Sequence, residues 1–134
     1  VTDEQKYDNL TDALAARQKL WTPVGYSMLF AAVEMGGEAG EALNVVKKLE
    51  RERMGWPGSR STKEKLAQEL SDVVITAYNL AALAGIYMPD AVVKTFNDKS
   101  IEMGFPILME EPLRWNPGAV LSRRPQGEGE EGGK

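Results

Sequence analysis

The feature that most constrains the fold is the spacing of the apolar residues. Across residues 2–103 they recur at three- and four-residue intervals on a background rich in Ala, Leu, Glu and Lys, and no strand-like alternation lasts long. This pattern predicts an all-α chain. A first helix is expected over residues 3–20, with Thr2 and Gln5 at capping-box spacing and an apolar stripe through Tyr7, Leu10, Leu14 and Ala15. Trp21, Thr22 and Pro23 break it. A second, long helix is expected over residues 27–53, ahead of the turn sequence GWPGSRS. Ser61 and Glu64 offer the capping box of a third helix, which carries Leu66, Leu70, Val73, Val74, Ala77 and Leu80 up to a terminating Gly85. A fourth begins at Pro89 or Asp90 and ends near Gly104, Phe105 and Pro106. Four helices with short connections favour a bundle-like packing in a single domain over residues 1–109. From Glu110 the composition shifts to Pro, Gly and charge, so residues 110–134 are expected to form a partly disordered tail.

Composition narrows the chemistry. The 134 residues, 43% of them apolar, suffice for one core of ordinary size. The absence of Cys removes disulfides, Cys-ligated zinc, iron–sulfur clusters and thiol nucleophiles. The absence of His removes a Ser-His-Asp triad, an HExxH zinc site and a carboxylate-histidine di-iron bundle. Hydrolytic chemistry in this chain must therefore use carboxylates, hydroxyls, lysine or a hard metal ion. A net charge of -4 gives no support to a nucleic-acid-binding surface. No apolar run approaches the roughly 20 residues that span a bilayer, and the first residues are polar. A cytoplasmic protein with no membrane segment is expected.

The acidic residues of the second and third helices are out of place. On an α-helix each residue advances about 100°, so Glu34, Glu38 and Glu41 lie within about 60° of one another, with Val45 and Lys48 on the same stripe. In the third helix Glu69 and Asp72 share a face with Val73, Thr76 and Leu80. Two such stripes packed together would bring several carboxylates close, and like charges in a low-dielectric interior do not all stay ionised without a counter-charge. Lysine or arginine could supply it. An oxygen-only donor set fits a hard divalent cation better, magnesium first and manganese second; no calcium-loop pattern is present. Magnesium held by a few carboxylates keeps waters and takes substrate phosphates, which points to phosphoryl chemistry. The alternative is that these are surface glutamates on ordinary amphipathic helices. Gly36, Gly37 and Gly40 argue against it, because each costs about 1 kcal/mol inside a helix and needs a reason, such as close helix approach or an interruption before Glu38. No Walker A sequence is present.

Glu38 and Glu41 as E-x-x-E, then Glu69 and Asp72 as E-x-x-D, resemble the signature of the MazG-like all-α nucleoside triphosphate pyrophosphohydrolases, relatives of the dimeric dUTPases. The resemblance covers most of residues 16–105, through ARQKLW, EMGGEAGEALNVVKKLERE, GSRST, ELSDVVITAYNLA and KTFNDKS. It implies that Glu38, Glu41, Glu69 and Asp72 ligate magnesium ions holding a triphosphate, and that a metal-activated water attacks its α-phosphorus, releasing pyrophosphate and a nucleoside monophosphate. Glu38 or Glu41 is the candidate for orienting that water, and Glu34 for an added ligand or a supporting group. The resemblance also implies a homodimer or homotetramer.

The polyphosphate needs positive charge. Lys48 lies two turns beyond Glu41, with Lys47 beside it, either as phosphate contacts or as basic residues complementing the helix dipole. Lys94 and Asn97 resemble the family's phosphate- or nucleotide-binding Lys and Asn. The family's lysine directly before Phe-Asn is replaced by Thr95, so its role passes to Lys94 or Lys99 or is missing. Trp21 and Arg60 of the GSR loop are candidates for contacting the base, although a tryptophan at a helix end also serves core packing. The competing reading of the whole chain is a non-catalytic helical module that binds a nucleotide or alarmone, or dimerises through its apolar stripes.

Overall fold

A computed structural model describes residues 4–21 and 23–110, with Trp21 described by its backbone alone. Among these the chain is all-helical, with α1 (Leu10–Trp21), α2 (Met28–Arg53), α3 (Lys63–Leu83) and α4 (Met88–Met103) and no strand. Two compact units are present: Pro23–Met88, which holds α2 and α3, and a second that carries α1 and α4. The expected tail lies outside the described residues from 111 onward.

Local chemistry sets the ends of α2 and α3. Ser27 adopts an extended backbone and its side chain accepts from the Phe30 amide at 3.2 Å, which starts α2 where the sequence predicts. At its other end the Trp56 amide donates to the Arg51 carbonyl at 2.9 Å across Gly55, whose φ of 66° suits glycine. The Arg51 guanidinium then donates to the carbonyl and hydroxyl oxygens of Ser59, at 2.9 and 3.1 Å, and pins the GWPGSRS turn. The cap of α3 is Thr62, not Ser61: its hydroxyl accepts from the Lys65 amide at 3.1 Å, so the helix starts one residue later than the Ser61 and Glu64 spacing implied. Gly85, at φ 72°, ends it, with the Ile86 amide donating to the Ala81 carbonyl at 2.8 Å.

The first helix is shorter than expected. It begins at Leu10 because Asn9 caps it: Asn9 Oδ1 accepts from the Asp12 amide at 2.9 Å, and Asn9 Nδ2 donates to Asp12 Oδ2 at 3.0 Å. Thr2, the expected cap, lies outside the described residues. The fourth helix starts at Met88 with Pro89 in its first turn, where a missing amide proton is tolerated, and closes at Gly104 with φ 71°.

Within the unit Pro23–Met88, α2 and α3 form an antiparallel hairpin. Its buried apolar residues are Ala31, Ala42, Val45 and Ala81, mostly small side chains that let the two backbones come close. Gly36, Gly37 and Gly40 neither interrupt α2 nor mark a tight approach. The helix runs through them, all three are exposed, and a Cβ built on each would meet nothing within 4 Å. The expected close approach is thus absent among the described residues, because the glycines turn away from α3. No single described helix is long and apolar enough to cross a membrane.

Candidate metal centre

The hairpin register decides which acids meet. With α2 and α3 antiparallel, residues one turn apart on α2 come level with residues one turn apart on α3, and carboxylate oxygens of Glu38, Glu41 and Glu69 lie within 4.8 Å of one another. Glu69 is 3% exposed, Glu38 half-buried and Glu41 exposed, so the group runs from the hairpin interior to its edge. Asp72 is not in that trio but is close enough to act on Glu38 electrostatically. Desolvation first, and then the charges of Glu41, Asp72, Glu69 and Glu34, push the Glu38 carboxyl above the usual glutamate range. Like charges have been collected here rather than dispersed.

Glu34 has a different engagement. Its Oε2 accepts from the Tyr26 hydroxyl at 2.5 Å, and Tyr26 packs edge-on against Phe30 with ring centroids 5.5 Å apart. Burial, and then the bond and charge of Glu34, push the Tyr26 phenol up to about 12. The tyrosine therefore stays a donor at any physiological pH and holds Glu34 beside the trio rather than in it.

A divalent cation fits the donor set. Three carboxylate oxygens within 4.8 Å of one another could converge on one such ion once the side chains adjust. All donors are carboxylate oxygens, which suits magnesium or manganese and no soft metal. Glu38, Glu41 and Glu69 would hold the ion, with Asp72 next to them.

One cation already stands at the group. Lys65 Nζ lies 2.5 Å from Glu69 Oε1, one helical turn away, while its side chain stays 48% exposed. Hydrogen bonding to Glu69 raises the Lys65 ammonium above its ordinary value against partial desolvation, with attraction to Glu69, Glu41 and Asp72 adding to it. Reasoning from sequence did not single out Lys65 or Tyr26. The i, i+4 spacing of Lys65 and Glu69 was a usable signal for the first. The second depends on the path of the loop after Pro23 and left none.

The remaining candidates are placed as follows. Lys48 is half-buried on α2, two turns beyond Glu41, and Lys47 beside it is exposed. Arg60 is exposed in the turn before α3. Trp21 ends α1, and its side chain lies outside the description. On α4, in the other unit, Lys94 pairs with Asp98 and Lys99 with Glu102. Both polar atoms of the Asn97 amide bond the Met109 backbone: Nδ2 donates to the carbonyl at 2.9 Å and Oδ1 accepts from the amide at 2.8 Å. Asn97 thus fastens the segment after α4. Thr95 is exposed.

Compared with known proteins, the chain matches no family model, no curated protein and no solved structure.

Proposed function

We propose that the chain is a magnesium-dependent nucleoside triphosphate pyrophosphohydrolase of the MazG-like all-α type, releasing a nucleoside monophosphate and pyrophosphate. The observation that carries this reading is the convergence of Glu38, Glu41 and Glu69 from two helices to within 4.8 Å, with Asp72 adjacent, in a chain that has no His or Cys to ligate a metal. A divalent cation there, magnesium or manganese, supplies charge neutralisation for phosphate oxygens and lowers the pKa of water. Glu38, Glu41, Glu69 and Asp72 supply its anionic seat. In the reaction a water oxygen bonds to the α-phosphorus, the bond to the α,β-bridging oxygen breaks, and pyrophosphate leaves with that electron pair. A carboxylate must take the water proton, and Glu38 or Glu41 is the candidate for orienting that water and accepting the proton. Within the unit that holds the acids, Lys48 is the candidate for the substrate's phosphates and Arg60 for the base.

The experiment is product analysis with magnesium and a panel of NTPs, dNTPs and modified nucleotides. Monophosphate plus pyrophosphate is expected, abolished in Glu38→Gln and in Asp72→Asn with helix content unchanged. Full activity in both variants contradicts the proposal.

A homo-oligomer belongs to the same reading. Leu29, Val33 and Leu43 are exposed on α2, and helical spacing puts them on one stripe with Gly36 and Gly40. A second copy packed there would give the glycines the close approach that the single chain lacks. A monomer by sedimentation at micromolar concentration would remove this part. The same apolar stripe favours the second reading, a non-catalytic dimerisation or nucleotide-binding module. Metal-independent thermal stability would single that reading out.

A further inference from the structure

Glu38, Glu41, Glu69 and Asp72 gather on the hairpin, and among the described residues one ammonium, that of Lys65, pairs with the group. The most buried of them, Glu69, is the one that Lys65 holds, at 2.5 Å. Among the described residues Lys65 is the one cation in ion-pair contact with these carboxylates, so the neutralisation sits at the Glu69 end. A buried carboxylate without a partner would be costly, and the ammonium offsets that cost. The same contact opposes a metal. A carboxylate committed to an ammonium is a poorer ligand, and a divalent cation drawn to the trio would be repelled by a positive charge so close to one of its three donors. Lys65 is able to leave: its side chain is 48% exposed, and a flexible stem carries the head group into water at small cost.

We propose that Lys65 is a resident counter-cation of the hairpin, which neutralises Glu69 in the metal-free protein and is displaced when a divalent cation binds. This rests on the metal-binding reading of the trio given above. Lys65 acts here through Glu69, as a positioning residue. It lets the acidic group fold before metal is present, and it sets the metal concentration at which the site fills.

The test is Mn2+ titration of the full chain by calorimetry, paired with melting temperatures without metal and at saturating Mn2+, for the wild type, Lys65→Met and Lys65→Arg. Lys65→Met is expected to bind Mn2+ roughly twofold to fivefold tighter, the scale of one partly exposed ion pair. It is also expected to melt lower than the wild type without metal and to recover most of that deficit with metal. A merely structural lysine would leave the deficit the same in both conditions. Lys65→Arg keeps the charge and offers a forked donor to Glu69, so its Mn2+ affinity should be at or below that of the wild type. Should Lys65→Met fail to fold, the Arg variant and Lys65→Gln carry the same comparison. Mn2+ binding that is equal or weaker in the neutral variants overturns the proposal alone. No Mn2+ binding in the wild type or any variant overturns the metal reading and the proposal with it.

Discussion

Two charged regions of this molecule follow opposite rules. On α4 both lysines have their own acid within one turn, Lys94 with Asp98 and Lys99 with Glu102, both pairs exposed. Such i, i+3 and i, i+4 pairs satisfy themselves within one helix, contribute a few tenths of a kcal/mol and ask for nothing further. On the α2–α3 hairpin, acids from two helices face one another, Glu69 is buried, and among the described residues Lys65 alone forms an ion pair with them, at Glu69. That arrangement is destabilising as it stands, and a fold tolerates such cost where it serves a site. The lesson is that counting charges along a helix says little; what matters is whether opposite or like charges meet once the helices pack.

Breaking the acidic side of this comparison should have the largest effect. Glu38→Gln is expected to reduce magnesium-dependent pyrophosphate release by at least about a hundredfold, measured as initial rates, because it removes both a ligand and a candidate base. The same substitution should raise the metal-free melting temperature by about one or two degrees, since it relieves like-charge repulsion on a carboxyl already pushed toward its neutral form. Thermal unfolding with EDTA present checks this.

The pH dependence sharpens the same point. The folded-state pKa of Glu38 lies above its unfolded value, so stability tied to its protonated form is present below the ordinary glutamate range and is lost as pH rises through the raised value. Metal-free melting temperature should therefore carry a falling component across that interval in the wild type and not in Glu38→Gln. The stabilisation by magnesium should grow over the same interval as Glu38 ionises.

On α4 the expected effects are smaller. Asn97→Ala should cost about 1 kcal/mol in denaturant unfolding, for two hydrogen bonds to the exposed Met109 backbone, and should speed amide exchange at Met109. Lys94→Ala should change stability by no more than about 0.5 kcal/mol, because its partner Asp98 is exposed too. A Lys94→Ala variant that melted higher than the wild type, as Glu38→Gln is expected to, would erase the contrast between the two regions.

Much of this was legible in the residue order. The bounds of α2 followed from Ser27 and the GWPGSRS turn, and the C-terminal ends of α3 and α4 from glycines that adopt positive φ, because caps and left-handed glycines act within a few residues; the start of α3 lay one residue beyond the expected Ser61 cap. The meeting of Glu38, Glu41 and Glu69 was readable too, since helical spacing fixed which acids share a stripe. The start of α1 was misread for a competing local reason: Asn9 and Asp12 form a tighter cap than the distant Thr2 and Gln5 pattern implied. The glycines of α2 were read as a sign of close approach, but their direction depends on the rotation of α2 about its axis, which apolar spacing alone did not fix. The bond from Tyr26 to Glu34 and the clasp of Asn97 on Met109 join a helix to a loop, and loop paths have no periodicity to read.

The most direct test of the central claim is calorimetric titration of the purified, EDTA-treated chain with Mn2+, alongside Glu38→Gln and the Glu38→Gln, Glu69→Gln double variant. The account predicts saturable binding to the wild type, weakened in the single variant and absent in the double. Equal binding to all three, or none to the wild type, would contradict it.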